Sequence, residues 1–366
     1  MSLGARRVLK AAGHVLVVLA VVVGWAAPAS ADATRDQQWY LPFLGVAGAH
    51  QYSEGAGVVV AVLDSGVDAT HPDLAGNVLA GADVEPGATG NGQTDTDGHG
   101  TAMAGLIAGH GHGANASLGV LGLAPTATVL PVKDGDARAV ALPDAVDWAV
   151  AQGAKVISIS QAAQGDSTIE RRAVENAIAH DVVVVAGVGN IPGTFVEFPA
   201  AYPGVVAVAG VDQQGNHADI SITGPEVVLS APAIDVVRPT LNHGYGFGTG
   251  TSDATAIVAG AVALVRARYP NLSATEVVHR LTATAIDKGA PGRDDVYGYG
   301  IVNPVGALTA NVPPLPQQSP SANPSQTETQ QPQPTRTTPW LFVAIGVALL
   351  VLAAAGLIAA TRRRRT

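Results

Sequence analysis

The chain has 366 residues, of which 47% are hydrophobic and only 13% are charged, and it contains no cysteine. The absence of cysteine excludes thiol proteases, thiolate zinc sites and disulfide scaffolds. The acidic excess, 29 Asp and Glu against 20 Lys and Arg, disfavours general binding to nucleic-acid phosphates. We therefore expect no nucleic-acid partner. A charged fraction this low indicates a large buried core or a segment that lies in lipid.

Residues 1–31 have the order of a secretory signal peptide. Three basic residues precede an apolar run from Val15 to Val23, and Ala29-Ser30-Ala31 supplies small residues before a cleavage site. The mature chain is expected to begin at Asp32. An uncleaved N-terminal anchor is the alternative, although the apolar run is short for a membrane span.

Residues 340–360 are predicted to form a transmembrane helix. This stretch of 21 residues carries no charge, and a helix of about 20 residues crosses the hydrocarbon core. The arginines of the tail, residues 361–366, are expected to stay in the cytoplasm. The rest of the chain then lies on the extracytoplasmic face of the cell membrane, held by a single span. The alternative interpretation is a buried core helix.

Residues 312–339 contain eight prolines and few apolar side chains, which is typical of an extended, disordered linker. The segment from Asp32 to Pro339 holds 13 basic and 29 acidic residues, so it is expected to be a soluble, acidic portion tethered to the membrane. Within it, residues 32–54 are predicted to be an N-terminal extension that packs on a domain at residues 55–311.

The domain alternates short apolar runs rich in β-branched residues with longer segments of helical pattern. Strands are predicted at Val58–Leu63, Thr128–Val132, Lys155–Ser160, Val182–Ala186 and Val205–Ala209. Helices are predicted at Thr101–Ala108, Leu142–Gln152, Ile169–His180, Asp253–Arg268 and Ala274–Ala285. The alternation predicts an α/β fold with a mainly parallel sheet, in which ligands bind near the carboxyl ends of the strands.

Three segments carry groups that suit nucleophilic catalysis. Asp64 ends an apolar strand, His99 lies between glycines at a helix start, and Ser252 follows a glycine-rich stretch before a long apolar helix. A serine hydroxyl becomes nucleophilic when a neighbouring base removes its proton, and a carboxylate fixes the tautomer of that base. Each residue alone also fits a cap or a loop, but the three patterns together predict a catalytic triad.

The segments around Asp64, His99 and Ser252 resemble the three motifs of the subtilisin-like serine proteases, the subtilases. The whole layout resembles the mycosins, which are membrane-anchored subtilases associated with type VII secretion. The resemblance implies a subtilisin-like three-layer α/β/α fold. It also implies that Asp64 orients the imidazole, that His99 is general base and then acid, and that Ser252 attacks the scissile carbonyl. Asn190, after the strand of small residues, matches the family's oxyanion-hole asparagine.

The resemblance further implies that an extended substrate peptide adds as a strand to the segment at Ser158, Ile159 and Ser160. The sequence departs from the family pattern next to this cleft. Asp253 follows the nucleophile, and Ala256 replaces a proline four positions after it. A carboxylate beside a developing oxyanion is expected to lower the rate. The extension is too short for a folded pro-domain, so no large autocatalytic loss of mass is expected.

Two other groups of residues suggest metal binding. His110-Gly111-His112 has the side chains of a metal site, and Asp95 and Asp97 have those of a calcium site. The first lacks a third ligand at a fitting spacing, and the second lacks a run of alternating oxygen ligands. We therefore expect loops at both places, and neither a metal nor a cofactor.

Two functions remain open from the sequence. The first is a membrane-anchored serine endopeptidase that cuts polypeptides outside the cytoplasm through an acyl-enzyme. The alternative is a weakly active or inactive structural component of a secretion complex, such as the type VII membrane complex. The departures at the cleft favour the alternative, whereas the intact triad favours the endopeptidase.

Overall fold

The computed structural model describes residues 33–135, 138–191 and 194–315. The predicted signal peptide, nearly all of the linker, the predicted transmembrane helix and the cytoplasmic tail lie outside the described residues. Within the described ranges, no helix is both long enough and apolar enough to span a bilayer.

The helices among the described residues are α1 Ala33–Asp36, α2 Tyr40–Phe43, α3 Val46–Ala49, α4 His99–Ala108, α5 Arg138–Ala151, α6 Thr168–Ala179, α7 Thr251–Arg268, α8 Ala274–Ala283 and α9 Pro304–Thr309. The strands are β1 Val59–Asp64, β2 Ala82–Asp83, β3 His110–His112, β4 Leu118–Leu121, β5 Thr128–Lys133, β6 Val156–Ile159, β7 Val183–Gly187, β8 Val206–Val211, β9 Val227–Pro232, β10 Val236–Thr240 and β11 Gly244–Gly248.

Seven strands form one sheet in the order β2-β5-β1-β6-β7-β8-β9, and every neighbouring pair is parallel. Side chains alternate between the two faces of a strand. In β1, Val60 and Val62 therefore enter one hydrophobic core, whereas Ala61 and Leu63 enter the other. The first core holds α4, α7, α8 and α9, and the second holds α5 and α6. This arrangement confirms the predicted three-layer α/β/α fold.

Helix α7 is buried on all sides from Ala254 to Val265, among strands of the sheet and α4. Its sequence is almost entirely alanine, glycine, valine and other apolar residues, as expected of a helix that lies inside a core. Because α7 is packed on all sides, its N-terminus is held in a fixed position. That end carries Ser252 and lies near the carboxyl ends of β6 and β7.

The described part of the N-terminal extension packs against the domain through buried side chains. Tyr40 is fully buried, and its hydroxyl donates a hydrogen bond to the carbonyl of Val237 in β10, at 3.0 Å. Gln38 bonds the backbone of Leu121 in β4 with both its amide oxygen and its amide nitrogen. The extension therefore ties the two small hairpins, β3–β4 and β10–β11, to the core.

The five predicted strands and five predicted helices are all present, with ends that differ by a few residues. The other described elements, which include β9 and the β10–β11 hairpin, were not predicted from the sequence. The hairpin has a glycine at every second position of β11, Gly244, Gly246 and Gly248, which hides a strand pattern because glycine is depleted in strands.

Candidate active site

Asp64 is the last residue of β1, and His99 is the first residue of α4. Nδ1 of His99 lies 2.8 and 2.9 Å from the two carboxylate oxygens of Asp64. The side chain of Asp64 is 2% exposed, whereas that of His99 is 30% exposed and borders the cleft. The carboxylate thus holds Nδ1 as the protonated nitrogen, which leaves Nε2 to accept a proton.

The close approach of α4 to the end of β1 depends on Gly100. A Cβ on Gly100 would lie 2.0 Å from the carbonyl oxygen of Gly66 and 3.1 Å from Cβ of Asp64. Real Cβ atoms do not approach a backbone oxygen so closely, so only glycine fits here. The glycine that follows His99 in the sequence therefore brings the imidazole within reach of its carboxylate.

Asp95 caps the start of α4. Its Oδ1 accepts hydrogen bonds from the backbone nitrogens of Asp97 and Gly98, and its Oδ2 accepts from the nitrogen and hydroxyl of Thr101. The hydroxyl of Ser65 also donates to Oδ1, and the backbone nitrogen of Gly100 donates to that hydroxyl. The carboxylate that was weighed as a calcium ligand is therefore an anchor for the helix that carries His99.

Ser252 lies in the first turn of α7 and is half-buried. Its hydroxyl donates to the backbone carbonyl of Ser160 at 2.9 Å, and the hydroxyl of Ser160 donates to the carbonyl of Ser252 at 3.4 Å. In this rotamer the hydroxyl points to the end of β6. The hydroxyl must release the carbonyl of Ser160 before its proton can pass to His99.

Asn190 lies just beyond the end of β7, and its Oδ1 accepts a hydrogen bond from the backbone nitrogen of Thr251 at 3.0 Å. Its Nδ2 is thereby oriented toward the start of α7. A Cβ on Gly250 would lie 3.7 Å from that Nδ2 and 3.8 Å from the backbone nitrogen of Ser252. Both nitrogens therefore lie within 4 Å of one point beside Gly250, which is the proximity that two donors to an oxyanion need.

Asp253 is buried, with 1% of its surface exposed, and its Oδ1 accepts a hydrogen bond from Arg238 of β10 at 2.9 Å. Its Oδ2 is buried and has no hydrogen-bond partner among the described residues. Burial raises the pKa of Asp253 to about 6, and the charges of Arg238 and His99 limit the rise. From the sequence, this carboxylate was expected to lie beside the oxyanion. In the structure it is directed to Arg238 instead.

Burial lowers the pKa of His99, but the hydrogen bond and the charge of Asp64 outweigh that effect, so the pKa is raised above its ordinary value. The charge of Arg238 lowers the pKa of His99, and the charge of Asp253 raises it. An imidazole with such a pKa accepts a proton readily in the neutral range. Arg238 and His99 also border the same cavity of about 350 Å³, together with Leu241.

The predicted peptide-binding strand needs correction. Strand β6 pairs with β1 on one side and β7 on the other, so it has no free edge at Ser158 or Ile159. Both residues are buried, at 1% and 0% exposure. Only Ser160, beyond the strand's end, is half-buried at the cleft, where it borders a cavity of about 310 Å³ with Asp64, His99 and Gln161.

His110 and His112 lie in β3, not in an irregular loop as expected. Nδ1 of His112 is 2.6 Å from Oδ1 of the buried Asp73, whose Oδ2 accepts from the backbone nitrogen of Val120. The two histidine side chains of β3 have different partners, since Nε2 of His110 bonds the carbonyl of Ala75. Among the described residues, no group of three or more His, Cys, Asp or Glu side chains is arranged to hold a metal ion.

Sequence reasoning missed Arg238 and the anchoring role of Asp95. Arg238 is the single basic residue of β10, but nothing in its neighbourhood in the sequence indicates a partner 15 residues later. Asp95 did carry a signal, because an aspartate shortly before a helix start is typical of a cap.

Comparison with known proteins identifies relatives of this chain. Residues 55–300 match the subtilase family. A thermostable alkaline protease of Halalkalibacterium halodurans is 36% identical over 273 residues, which cover 72% of this chain and 72% of that protein.

Solved structures of mycosin proteases are also similar. The MycP3 protease from the type VII (ESX-3) secretion system matches with a TM-score of 0.66 and 32% identity, over 77% of this chain and 91% of that chain. MycP1 from Mycobacterium smegmatis matches with a TM-score of 0.69 and 28% identity, over 80% of this chain and 89% of that chain. The chain therefore belongs to the subtilase family of serine endopeptidases, and its structural neighbours include mycosin proteases.

Proposed function

We propose that this protein is a membrane-anchored endopeptidase that cuts exported polypeptides at the outer face of the cytoplasmic membrane. Its catalytic residues are Asp64, His99 and Ser252, and Asn190 is a donor of the oxyanion hole. The observation that carries the proposal is the pairing of His99 with the buried Asp64 at 2.8 Å, on the same side of the sheet as Ser252.

The reaction follows from these positions. Ser252 Oγ attacks the scissile carbonyl carbon while Nε2 of His99 takes the hydroxyl proton. The backbone nitrogen of Ser252 and Nδ2 of Asn190 stabilise the negative oxygen. His99 then gives its proton to the leaving amine, and an acyl-enzyme remains on Ser252. Water, activated by the same imidazole, attacks the ester and restores the free serine.

Support for the membrane location comes from the sequence. The signal-like N-terminus, the uncharged residues 340–360 and the arginines after them together indicate export with one retained span. The linker at residues 312–339 would hold the enzyme away from the bilayer surface. The test is fractionation of cells after protease treatment of spheroplasts: the domain should be digested from outside, and residues 361–366 should remain protected.

The alternative, a silent component of a type VII secretion complex, has support from the neighbours MycP1 and MycP3. The hydrogen bond of Ser252 to Ser160, rather than to His99, is the structural feature that favours it. However, the carboxylate of Asp253 is paired with Arg238, which removes one reason for expecting a silent cleft. A serine-directed fluorophosphonate separates the two functions, because only an activated Ser252 reacts covalently with it.

A further inference from the structure

The strands β6 and β7 separate where the cleft begins. They pair as far as Ile159 with Ala186, and the chain beyond β6 then bonds a different partner. The backbone of Ala163 exchanges hydrogen bonds of 3.0 and 2.8 Å with that of Phe198. The space between the two strand ends is thus bordered by residues 160–163 on one side and by residues 188–190 on the other.

Ser252 lies at the mouth of this space. Its hydroxyl bonds the first residue of one border, Ser160, and the neighbouring Thr251 bonds the last residue of the other border, Asn190. A substrate residue whose carbonyl is attacked by Ser252 therefore lies beside this space, and its side chain can enter between the two borders. The groups found there decide which side chain is accepted.

Glu197 supplies a carboxylate to this space. Its backbone nitrogen donates to the carbonyl of Val188 at 3.0 Å, and the next residue, Phe198, bonds Ala163. The main chain at Glu197 therefore joins the two borders at the end of the space that is opposite Ser252. A Cβ on Gly189 would lie 2.6 Å from Oε2 and 2.9 Å from Cδ of Glu197. The carboxylate therefore lies against the bare backbone of Gly189, one residue from Asn190.

Among the described residues, the carboxylate of Glu197 has neither an ion pair nor a side-chain hydrogen bond, although the side chain is half-buried. A half-buried carboxylate attracts a cation more than an exposed one does, because water screens its charge less. Carboxylate oxygens bind ammonium and guanidinium groups with charge-assisted hydrogen bonds. A substrate lysine or arginine would supply the missing partner.

We propose that Glu197 selects a basic side chain, lysine or arginine, on the substrate residue that carries the scissile carbonyl. This inference rests on the proposed endopeptidase function and adds the substrate class to it. Glu197 is a specificity-determining residue here and takes no part in bond breaking.

The test compares two internally quenched peptides that differ only in the residue before the cut, lysine in one and norleucine in the other. Norleucine has nearly the shape of lysine without its charge. With the full-length protein in detergent micelles, kcat/KM is expected to be about 100-fold higher for the lysine peptide. Glu197→Gln should reduce this ratio to within about threefold, mainly through loss on the lysine peptide.

Two further variants sharpen the result. Glu197→Lys is expected to reverse the preference, toward a peptide with glutamate before the cut. Glu175→Gln makes the same chemical change on the exposed face of α6 and is expected to keep the parent ratio. If a variant at position 197 does not fold, peptide aldehydes ending in lysine or norleucine measure the same selectivity as inhibition constants on the parent protein.

The outcomes separate this inference from the proposed function. Equal cleavage of both peptides by the parent, or an unchanged ratio in Glu197→Gln, would overturn the role of Glu197 and leave the protease assignment intact. Failure of the folded parent to cut any peptide or to react with a fluorophosphonate would overturn the proposed function, and this inference with it.

Discussion

Asp64 and His99 are joined by contacts from both carboxylate oxygens to a single ring nitrogen, at 2.8 and 2.9 Å. The carboxylate is almost fully buried, so its charge acts on the imidazole with little screening by water. This pairing raises the pKa of His99 above 6.5 despite the burial of the ring. The consequence is a defined acid limit to the activity.

The first prediction concerns that limit. His99 works as a base only when it is neutral, so kcat/KM should rise with pH through a single pKa above 6.5. Asp64→Asn should shift this pKa downward and reduce kcat by about 10⁴-fold, because the imidazole loses its carboxylate partner and its correct tautomer. The measurement is a pH profile of kcat/KM on one peptide. A pKa of 6 or less in the parent would contradict the pairing.

The second prediction uses the opposite charges beside His99. Asp253 raises and Arg238 lowers the pKa of His99. Asp253→Asn should therefore move the acid limit to lower pH, and Arg238→Gln should move it to higher pH. The same pH profiles measure both. Shifts in the same direction would show that the two variants act through a general disturbance rather than through charge.

The third prediction concerns stability. The pKa of Asp253 is about 6 in the folded protein against 3.8 for the ordinary group. The folded state therefore binds this proton more tightly than the unfolded state does. Protonation of Asp253 stabilises the folded protein below pH 4, and this stabilisation is lost as the pH rises through 6. A shift of this size corresponds to about 3 kcal/mol. The Asp253→Asn variant has no ionisable group at this position, so its free energy of unfolding should show no such loss.

Urea unfolding at pH 4 and pH 7 tests this difference, with Ser252→Ala in both proteins to prevent self-digestion. The free energy of unfolding of the Asp253 protein, relative to that of the asparagine variant, should fall by up to about 3 kcal/mol between the two pH values. A constant difference would mean that Asp253 does not titrate in this range.

The fourth prediction concerns Asn190. Asn190→Ala removes a donor that is needed only when the oxyanion forms, so kcat should fall by about 10²–10³-fold while KM changes little. The hydrogen bond from the backbone of Thr251 to Oδ1 is lost as well. Asn190→Asp keeps that acceptor and removes the donor, and it should be at least as inactive as the alanine variant. Full activity in the aspartate variant would exclude Asn190 from the oxyanion hole.

The fifth prediction is that the extension stays attached. Tyr40 is fully buried and Val46 is 1% exposed, so removal of residues 32–54 would open the core. Edman sequencing of the active, membrane-extracted protein should give an N-terminus near Asp32. An active sample that begins beyond residue 60 would contradict this.

The fold could be predicted from the sequence because its main strands are short apolar runs and its main helices lie between them. The residues that carry the site motifs could also be recognised, since Asp64, His99 and Ser252 each stand at the end of an element. Sequence position did not reveal which strand edges are free. Ser158 and Ile159 were therefore predicted to bind substrate, although β6 is an inner strand of the sheet.

The direction of a side chain was the second feature that could not be predicted from the sequence. Asp253 follows Ser252 in sequence, and proximity alone indicated a charge at the oxyanion. On a helix, successive residues point about 100° apart, so the carboxylate of Asp253 reaches β10 instead. Glu197 has no motif and becomes notable only because the fold places it against Gly189. Long-range contacts of this kind are set by tertiary packing.

The most direct test of the catalytic assignment is fluorophosphonate labelling of the full-length protein, with turnover of a peptide library measured on the same sample. We expect one covalent adduct on Ser252, cleavage by the parent, and neither adduct nor cleavage in Ser252→Ala. An adduct on Ser160 instead, or undiminished cleavage by Ser252→Ala, would contradict the assignment of the nucleophile.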